Sequence, residues 1–176
     1  MSGKVVLREI IDSDTDNIVK WRNSPDVKKN LYSQELLTKK QHLKWMQNNV
    51  MTGQCIQFII EIHFNDSVQP IGTIFIKNID RKNSKGEYGI FIGESDARGK
   101  GYSTKATFKI LKYAFEVLML NRVYLTVFSD NLAAIKSYEK SGFIKEGILK
   151  EDFYRFDGFV DVVYMGITRK IWERLN

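Results

Sequence analysis

Cysteine, histidine and proline are scarce in this sequence. Its 176 residues include one cysteine, Cys55, two histidines, His42 and His63, and two prolines. A single cysteine cannot form a disulfide within the chain, and so few sulfur and imidazole ligands are not typical of a zinc site. We therefore expect a protein without a bound metal that folds in a reducing compartment, the cytoplasm.

Long apolar runs are also missing. The longest, such as residues 58–62, are far shorter than the roughly 20 residues that a membrane-spanning helix needs. The N-terminal residues lead directly into a strand-like segment, without the regions of a signal peptide. No proline-, glycine- or serine-rich linker and no repeat divides the chain, and 43% of its residues are hydrophobic. We predict a single domain over residues 1–176 and no membrane partner.

Basic residues exceed acidic ones by 27 to 21, which gives a formal net charge of +6. Such an excess favours anionic ligands, for example nucleotides and phosphorylated cofactors. The basic residues are spread along the chain, whereas nucleic-acid-binding domains more often gather them on one element. Nucleic acid is therefore not expected as the main partner, and a basic nucleic-acid-binding domain is kept only as an alternative.

Apolar periodicity predicts four helices among seven strands. Alternating and β-branched runs predict strands, and apolar residues spaced by three and four predict helices. The predicted strands cover residues 4–10, 55–62, 70–76, 87–92, 122–128, 143–148 and 159–167. The predicted helices cover residues 12–21, 38–50, 102–119 and 131–141. This order indicates an α+β fold with a mixed central sheet flanked by about four helices.

The segment over residues 98–104 (RGKGYST) lies between a predicted strand and the longest predicted helix. Its two glycines allow backbone conformations that other residues disfavour, and they let a ligand come close to the chain. The first N–H groups of the helix lack partners within it, and its dipole favours negative charge there. Together with Arg98 and Lys100, these features predict a phosphate or pyrophosphate cradle.

Two stretches together carry a family resemblance. Residues 98–103 (RGKGYS) resemble the acetyl-CoA signature of the GNAT N-acetyltransferases, and residues 131–143 (NLAAIKSYEKSGF) resemble a second run of that family. The resemblance is greatest to the branch of ribosomal-protein-alanine and amino-sugar acetyltransferases. It implies a mostly antiparallel sheet, acetyl-CoA as co-substrate, and an acetyl-CoA-dependent N-acyltransferase without a metal.

The resemblance also implies which residues bind acetyl-CoA. Backbone N–H groups of the cradle are expected to bind the pyrophosphate, and a strand end that parts from its neighbour is expected to hold the pantetheine arm. Asn131 is expected to hydrogen-bond that arm. The expected cofactor-binding residues are Phe91, Ile92, Arg98, Gly99, Lys100, Gly101, Tyr102, Ser103 and Asn131.

Two side chains are candidates for proton transfer. Tyr138 is expected near the sulfur, where a phenol can protonate a departing thiolate. Glu87 begins the strand that leads to the cradle, and we predict that it takes the proton of the attacking amine, directly or through a water. Alternatively, Tyr138 packs as a core aromatic, and Glu87 only balances a neighbouring lysine.

The acceptor is less well defined by the sequence. Trp21 and Arg22 end the first predicted helix in a segment that resembles the amino-sugar branch, and they are the expected substrate-binding residues. The expected function is direct acetyl transfer, in a ternary complex, to a primary amine such as a nucleotide-linked amino sugar. A protein N-terminus is the alternative acceptor, and a non-catalytic CoA-binding module is the alternative function. A homodimer is compatible with either, and His42 is interpreted as polar surface.

Overall fold

The computed structural model describes residues 3–175 as one sheet with helices on both faces. Its strands are β1 (Lys4–Glu9), β2 (Ile56–His63), β3 (Val68–Asp80), β4 (Lys85–Ile92), β5 (Arg122–Phe128), β6 (Ile144–Arg155) and β7 (Gly158–Thr168). Its helices are α1 (Thr15–Asn23), α2 (Pro25–Lys28), α3 (Lys39–Trp45), α4 (Tyr102–Glu116), α5 (Leu132–Lys140) and α6 (Arg169–Leu175). The predicted α+β class and the order of the main elements are confirmed.

The seven strands follow the order β1-β2-β3-β4-β5-β7-β6. Neighbours pair antiparallel except β4 and β5, which are parallel. That parallel pairing runs only from Lys85 opposite Arg122 to Glu87 opposite Tyr124, although both strands continue. The two strands therefore part after Glu87, and the sheet opens at its centre.

The core has one cluster on each face of the sheet. The larger packs α4 against β2, β3 and β4 through residues such as Ile60, Ile74 and Ile110, all fully buried. The smaller surrounds Trp21 and Ile59 beneath α1 and α3. Because successive strand residues face opposite sides, each cluster takes alternate residues of the same strands. The smaller cluster therefore fixes α1 and α3 above the opened part of the sheet.

Two short helices were not expected from the sequence. Pro25 begins α2 instead of only interrupting the chain, because proline already has a helical φ and its missing N–H is not needed at a helix start. At the C-terminus, α6 packs Trp172 against Phe108 and Phe115. Seven residues are too few for periodicity to reveal such a helix.

Several predicted boundaries were wrong, among them those of the third strand, which covers Val68–Asp80 rather than residues 70–76. The long helix ends at Glu116 rather than at residue 119, and Met119 has a positive φ of 56°. The sixth strand continues to Arg155, because its hairpin with β7 supplies backbone partners to a polar segment. Among residues 3–175, no helix is both long and apolar enough to span a bilayer.

Candidate active site

The predicted cradle lies between the end of β4 and the start of α4. Gly99 and Gly101 have φ angles of +72° and +77°, and Gly101 is the N-cap of α4. A Cβ atom at either glycine would meet no heavy atom within 4 Å. Glycine is therefore required there by the left-handed backbone, not by crowding. The open space lies in front of the first N–H groups of α4, where an anion is favoured.

The Arg98 side chain binds the segment that leads from β4 into the cradle. Its guanidinium donates to the carbonyl oxygens of Ile92 at 3.1 Å and Gly93 at 3.1 Å, and it pairs with Asp26 Oδ2 at 3.0 Å. Its backbone N–H donates to Ser95 at 3.2 Å. The structure thus differs from the expectation at this residue, because the Arg98 N–H and guanidinium already have protein partners.

The remaining cradle residues differ in their exposure. Lys100 is exposed and can bring its charge to an anion, whereas the Tyr102 side chain is buried in the core. Ser103 Oγ lies 3.2 Å from Ser137 Oγ, which ties the first turn of α4 to α5. The backbone N–H groups of residues 99–103 are therefore the part of the cradle that suits pyrophosphate.

The end of β4 borders the opening in the sheet. Phe91 and Ile92 pair with β3 on one side, beyond the last pair that β4 forms with β5. Both are partly exposed. A strand edge of this kind presents backbone polar groups that an extended ligand can pair with. The cradle and this edge together fit an extended molecule that ends in a pyrophosphate.

Tyr138 lies on α5 beside the opening. Its ring is edge-on to Tyr88, with centroids 5.7 Å apart, and also packs on Phe143. Burial raises the pKa of Tyr138 to about 12, with a smaller contribution from the nearby Tyr32 phenol. The hydroxyl therefore stays protonated at physiological pH and can act as a donor.

Asn131 caps the helix that carries Tyr138. Its side-chain oxygen accepts a hydrogen bond of 3.3 Å from the Ala134 N–H. The carboxamide oxygen thus satisfies a helix end, as asparagine commonly does at an N-cap. Its amide N–H₂ is the part that can serve the predicted bond to a cofactor.

Glu87 lies at the closed end of the opening, opposite Tyr124 in the last β4–β5 pair. Its carboxylate lies 3.1 Å from Lys77 Nζ and accepts a bond of 2.7 Å from Asn78. Burial raises the pKa of Tyr124, and the negative charge of Glu87 raises it further. Glu87 is therefore a half-buried carboxylate with two protein partners, close to the tyrosines of the opening.

Tyr32 is a site residue that the sequence did not indicate. It lies in the segment between α2 and α3, and its ring packs on Phe128 and Phe153 with centroids 4.8 and 5.1 Å apart. Burial raises its pKa, and the charge of Glu87 contributes to the same direction. Tyr32 is thus near enough to Glu87 and Tyr138 to interact electrostatically with both. An isolated tyrosine in a loop carries no pattern that reveals this.

A pocket of about 400 Å³ lies between α1, α3 and the face of the sheet that carries Glu87 and Phe91. Its lining includes Ile18, Arg22, Glu35, His42, Gln57 and Lys77. Arg22 is half-buried, and burial lowers its pKa. Its guanidinium has no hydrogen bond or ion pair within residues 3–175.

Trp21 does not line this pocket. It is 1% exposed, belongs to the smaller core cluster, and donates its indole N–H to Glu94 at 2.6 Å. A Cβ on Gly93 would collide with its ring at 2.0 Å, so the indole lies directly on the β4 end. Trp21 is placed to position Arg22 and β4, whereas the prediction gave it a direct contact with the acceptor.

Comparison with known proteins assigns this arrangement to a family. The family description "Acetyltransferase (GNAT) domain" matches residues 4–144. The chain belongs to the GNAT acetyltransferase family. The N-acetyltransferase p20 of Bacillus licheniformis is 30% identical over 165 residues, which are 92% of this chain and 90% of that protein. Acetyltransferase PseH of Campylobacter jejuni is 32% identical, over 77% of this chain and 80% of that protein.

The fold agrees with solved GNAT structures. The spermidine N-acetyltransferase of Vibrio cholerae, solved in complex with CoA and spermine, superposes with a TM-score of 0.89. The superposition covers 98% of each chain at 24% identity. The superposition confirms the expected fold class, and the family match with the related N-acetyltransferases confirms the expected family and acetyl-CoA-dependent N-acyltransferase activity. The functions assigned to individual residues stay predictions.

The residues of this GNAT domain fit acetyl-CoA. The cradle offers N–H groups and Lys100 for a pyrophosphate, and the parted strands offer an edge for the pantetheine. Within the described residues, no three histidine, cysteine, aspartate or glutamate side chains form a group that could hold a metal.

Proposed function

We propose that this GNAT enzyme acetylates a primary amine on a small acceptor that also carries an anionic group, such as a nucleotide-linked amino sugar. The observation that carries the proposal is Arg22, a half-buried guanidinium without a protein partner in the described chain that lines the 400 Å³ pocket. A guanidinium that is partly shielded from water and has no ion pair is stabilised when a ligand supplies an anion. Phosphate and carboxylate groups suit guanidinium particularly well, because both can form two parallel hydrogen bonds.

The charges of the pocket lining distinguish this acceptor from a polyamine. Arg22, Lys77 and Glu35 line the pocket, and Lys77 is already paired with Glu87, so Arg22 is the lining cation without an ion pair in the described chain. A polyamine needs carboxylates around its ammonium groups, so this lining suits it poorly. Resemblance to a spermidine acetyltransferase therefore supports the fold and does not decide the acceptor.

We propose that the reaction is a direct attack within a ternary complex. Acetyl-CoA supplies the thioester carbon that the amine attacks. A Glu87 carboxylate oxygen takes the amine proton, directly or through a water, as the N–C bond forms. As the C–S bond breaks, the Tyr138 hydroxyl donates its proton to the departing thiolate sulfur. The pocket and the strand opening contribute by holding amine and thioester together.

The test measures release of the CoA thiol with amines of different charge. Glucosamine 6-phosphate and UDP-galactosamine serve as anionic acceptors, spermidine as a cationic one, and a peptide with a free N-terminal alanine as the protein-like alternative. Arg22→Gln is expected to raise KM for the anionic acceptors roughly 10- to 100-fold, since a charged hydrogen bond contributes about 1.5–3 kcal/mol. Lys44→Gln, which removes an exposed charge from α3 outside the pocket, is the matched control.

Two results would contradict the anionic acceptor. Turnover of spermidine or of the neutral peptide in preference to both anionic amines would do so. An equal rise in KM for the anionic acceptors in Arg22→Gln and Lys44→Gln would show that binding depends only on the overall charge of the protein.

A further inference from the structure

Gln57 lies buried at the pocket, and its amide orientation is fixed by a short chain of hydrogen bonds. Its side-chain nitrogen donates to Thr73 Oγ1 at 2.8 Å, and the Thr73 hydroxyl donates to the Phe58 carbonyl at 2.8 Å. Because the hydroxyl proton is used on the carbonyl, Thr73 can only accept from Gln57. The carboxamide oxygen Oε1 must then point away from Thr73, and it has no partner among residues 3–175.

His42, which also lines this pocket, carries a second unpaired atom. It is 3% exposed, which corrects its interpretation as polar surface. Its Nδ1 lies 3.0 Å from Thr15 Oγ1, whereas Nε2 has no partner in the described part of the chain. Burial lowers the pKa of His42, and the charge of Arg22 lowers it further. A neutral imidazole offers one donor and one acceptor, so Nε2 can bind an uncharged polar group.

In the absence of a ligand, these two unpaired atoms lower the stability of the folded protein. Each buried polar atom without a partner costs about 1–3 kcal/mol, and most such atoms in native proteins are paired. Gln57 and His42 come from β2 and α3, yet both line the pocket that also contains Arg22. Their convergence on one cavity indicates a polar ligand that completes their hydrogen bonds.

We propose that Gln57 Oε1 and His42 Nε2 form a hydrogen-bonding pair that selects a hydroxyl-bearing acceptor, with Arg22 binding its anionic group. A ligand hydroxyl can donate to Gln57 Oε1, and a hydroxyl can also accept from or donate to His42 Nε2. The acceptor class is then an anionic amine rich in hydroxyls, which describes an amino sugar phosphate better than a simple phosphorylated alkylamine. This inference rests on the proposed function of the same pocket and narrows it.

Two pairs of amines separate hydroxyl selection from anion binding. Glucosamine 6-phosphate and O-phosphoethanolamine share an amine and a phosphate, but only the first has hydroxyls. Glucosamine and cyclohexylamine form the corresponding pair without phosphate. The quantity compared is the ratio of kcat/KM within each pair. A site built to bond a hydroxyl is expected to prefer the hydroxylated member by 100-fold or more.

Two variants delete one unpaired atom each with little change in shape. Gln57→Met keeps the side-chain length and leaves Thr73 bonded to Phe58. His42→Asn keeps an amide group near the Nδ1 position, within reach of Thr15, and removes Nε2. Each is expected to lower the hydroxyl preference, the ratio of kcat/KM within each pair, at least tenfold, whereas Lys44→Gln, outside the pocket, is expected to leave that ratio within about threefold. Urea unfolding is expected to show little change in stability for Gln57→Met, because removal of the unsatisfied oxygen offsets loss of the hydrogen bond to Thr73.

The outcomes of the two pairs are distinguishable. A hydroxyl preference in both pairs that Gln57→Met abolishes supports the inference, even if Arg22→Gln has no effect and the anionic acceptor is wrong. No hydroxyl preference in either pair, or one that both variants retain, overturns the inference and leaves the anionic acceptor standing. Turnover of none of the four amines overturns both. A shift of the His42 Nε2 nitrogen resonance on adding glucosamine 6-phosphate, absent with O-phosphoethanolamine, is the supporting readout that does not depend on activity.

Discussion

The guanidinium of Arg98 lies 3.0 Å from a carboxylate oxygen of Asp26, a residue 72 positions earlier in the chain. Arg98 also holds the carbonyls of Ile92 and Gly93, so one side chain joins α2, the end of β4 and the start of the cradle. The acceptor side and the cofactor side of the site are thereby linked through Arg98. The Arg98 side chain therefore has a structural function in this chain.

Arg98→Gln and Asp26→Asn are expected to affect stability unequally. Asp26 is largely exposed, so its ion pair contributes less than about 1 kcal/mol, and Asp26→Asn should lower the free energy of unfolding by no more than that. Arg98→Gln also loses both carbonyl partners and should cost about 1–2 kcal/mol. Urea unfolding measures both changes. Equal losses would mean that the ion pair, and not the two backbone bonds, accounts for the contribution of Arg98.

Gly101→Ala tests the left-handed conformation at the start of α4. Alanine at φ +77° is strained by about 1–2 kcal/mol, and relief of that strain should turn the first N–H groups of α4 away from the pyrophosphate. We expect the Kd for acetyl-CoA to rise about tenfold, which corresponds to about 1.4 kcal/mol. Isothermal titration with acetyl-CoA measures this change.

Gly147→Ala is the matched control for that substitution. A Cβ on Gly147 also meets nothing within 4 Å, but this glycine lies in the exposed strand β6 and lacks a left-handed φ. It should bind acetyl-CoA as the parent does. An unchanged Kd in Gly101→Ala would contradict the backbone argument, since alanine would then be accommodated in the left-handed conformation without effect.

The cradle could be predicted from a short segment of sequence because the features that define it all lie within that segment. Two glycines, two cations and a helix start lie within six residues, and together they specify an anion site before any tertiary contact is known. The hydrogen-bond partners of the Arg98 side chain could not be predicted in this way. Its partner Asp26 becomes a neighbour only after α2 packs beside the β4 end.

The acceptor pocket was less predictable for the same reason. His42 lies among polar residues on a short helix, a pattern typical of an exposed face, and only packing of α3 against α1 buries it. Gln57 looks like the polar member of an alternating strand, yet both faces of β2 are covered. Burial of these polar side chains depends on which elements meet, and that information is not contained in either segment alone.

Tyr138→Phe is expected to lower kcat by roughly 100-fold, the lower part of the range for general acids. The pKa of about 12 keeps the Tyr138 hydroxyl protonated, but it also makes the phenol a weaker acid than an ordinary tyrosine. The parent enzyme should therefore show no loss of kcat from Tyr138 ionisation below pH 10. Stopped-flow measurement of thiol release from pH 6 to 10 tests both statements.

Tyr113→Phe, which removes a phenol on α4 outside the opening, is the control and should retain kcat. Stability supplies a second readout with a defined sign. Below pH 10 the Tyr138 phenol is protonated in both the folded and unfolded chain. Between pH 10 and 12 only the unfolded chain loses that proton, so stability falls as pH rises. Tyr138→Phe should lose less stability than the parent over that interval.

Glu87→Gln tests proton removal from the amine. The amide can keep a hydrogen bond with Asn78, but it cannot accept a proton at neutral pH. If Glu87 is the base, kcat/KM at pH 7 should fall by about 100-fold or more, and the deficit should shrink as pH approaches the pKa of the acceptor amine. It shrinks because an amine that is already neutral needs no base. Steady-state thiol release across pH 6 to 10 measures this trend.

Glu146→Gln makes the same change in an ion-paired carboxylate outside the site. Glu146 pairs with Arg122 on the exposed side of the sheet, and its replacement should leave kcat/KM unchanged at every pH. A Glu87→Gln deficit of equal size at all pH values would contradict the base assignment. That result would instead indicate that the carboxylate acts by orienting Lys77, its partner at 3.1 Å in the lining of the acceptor pocket.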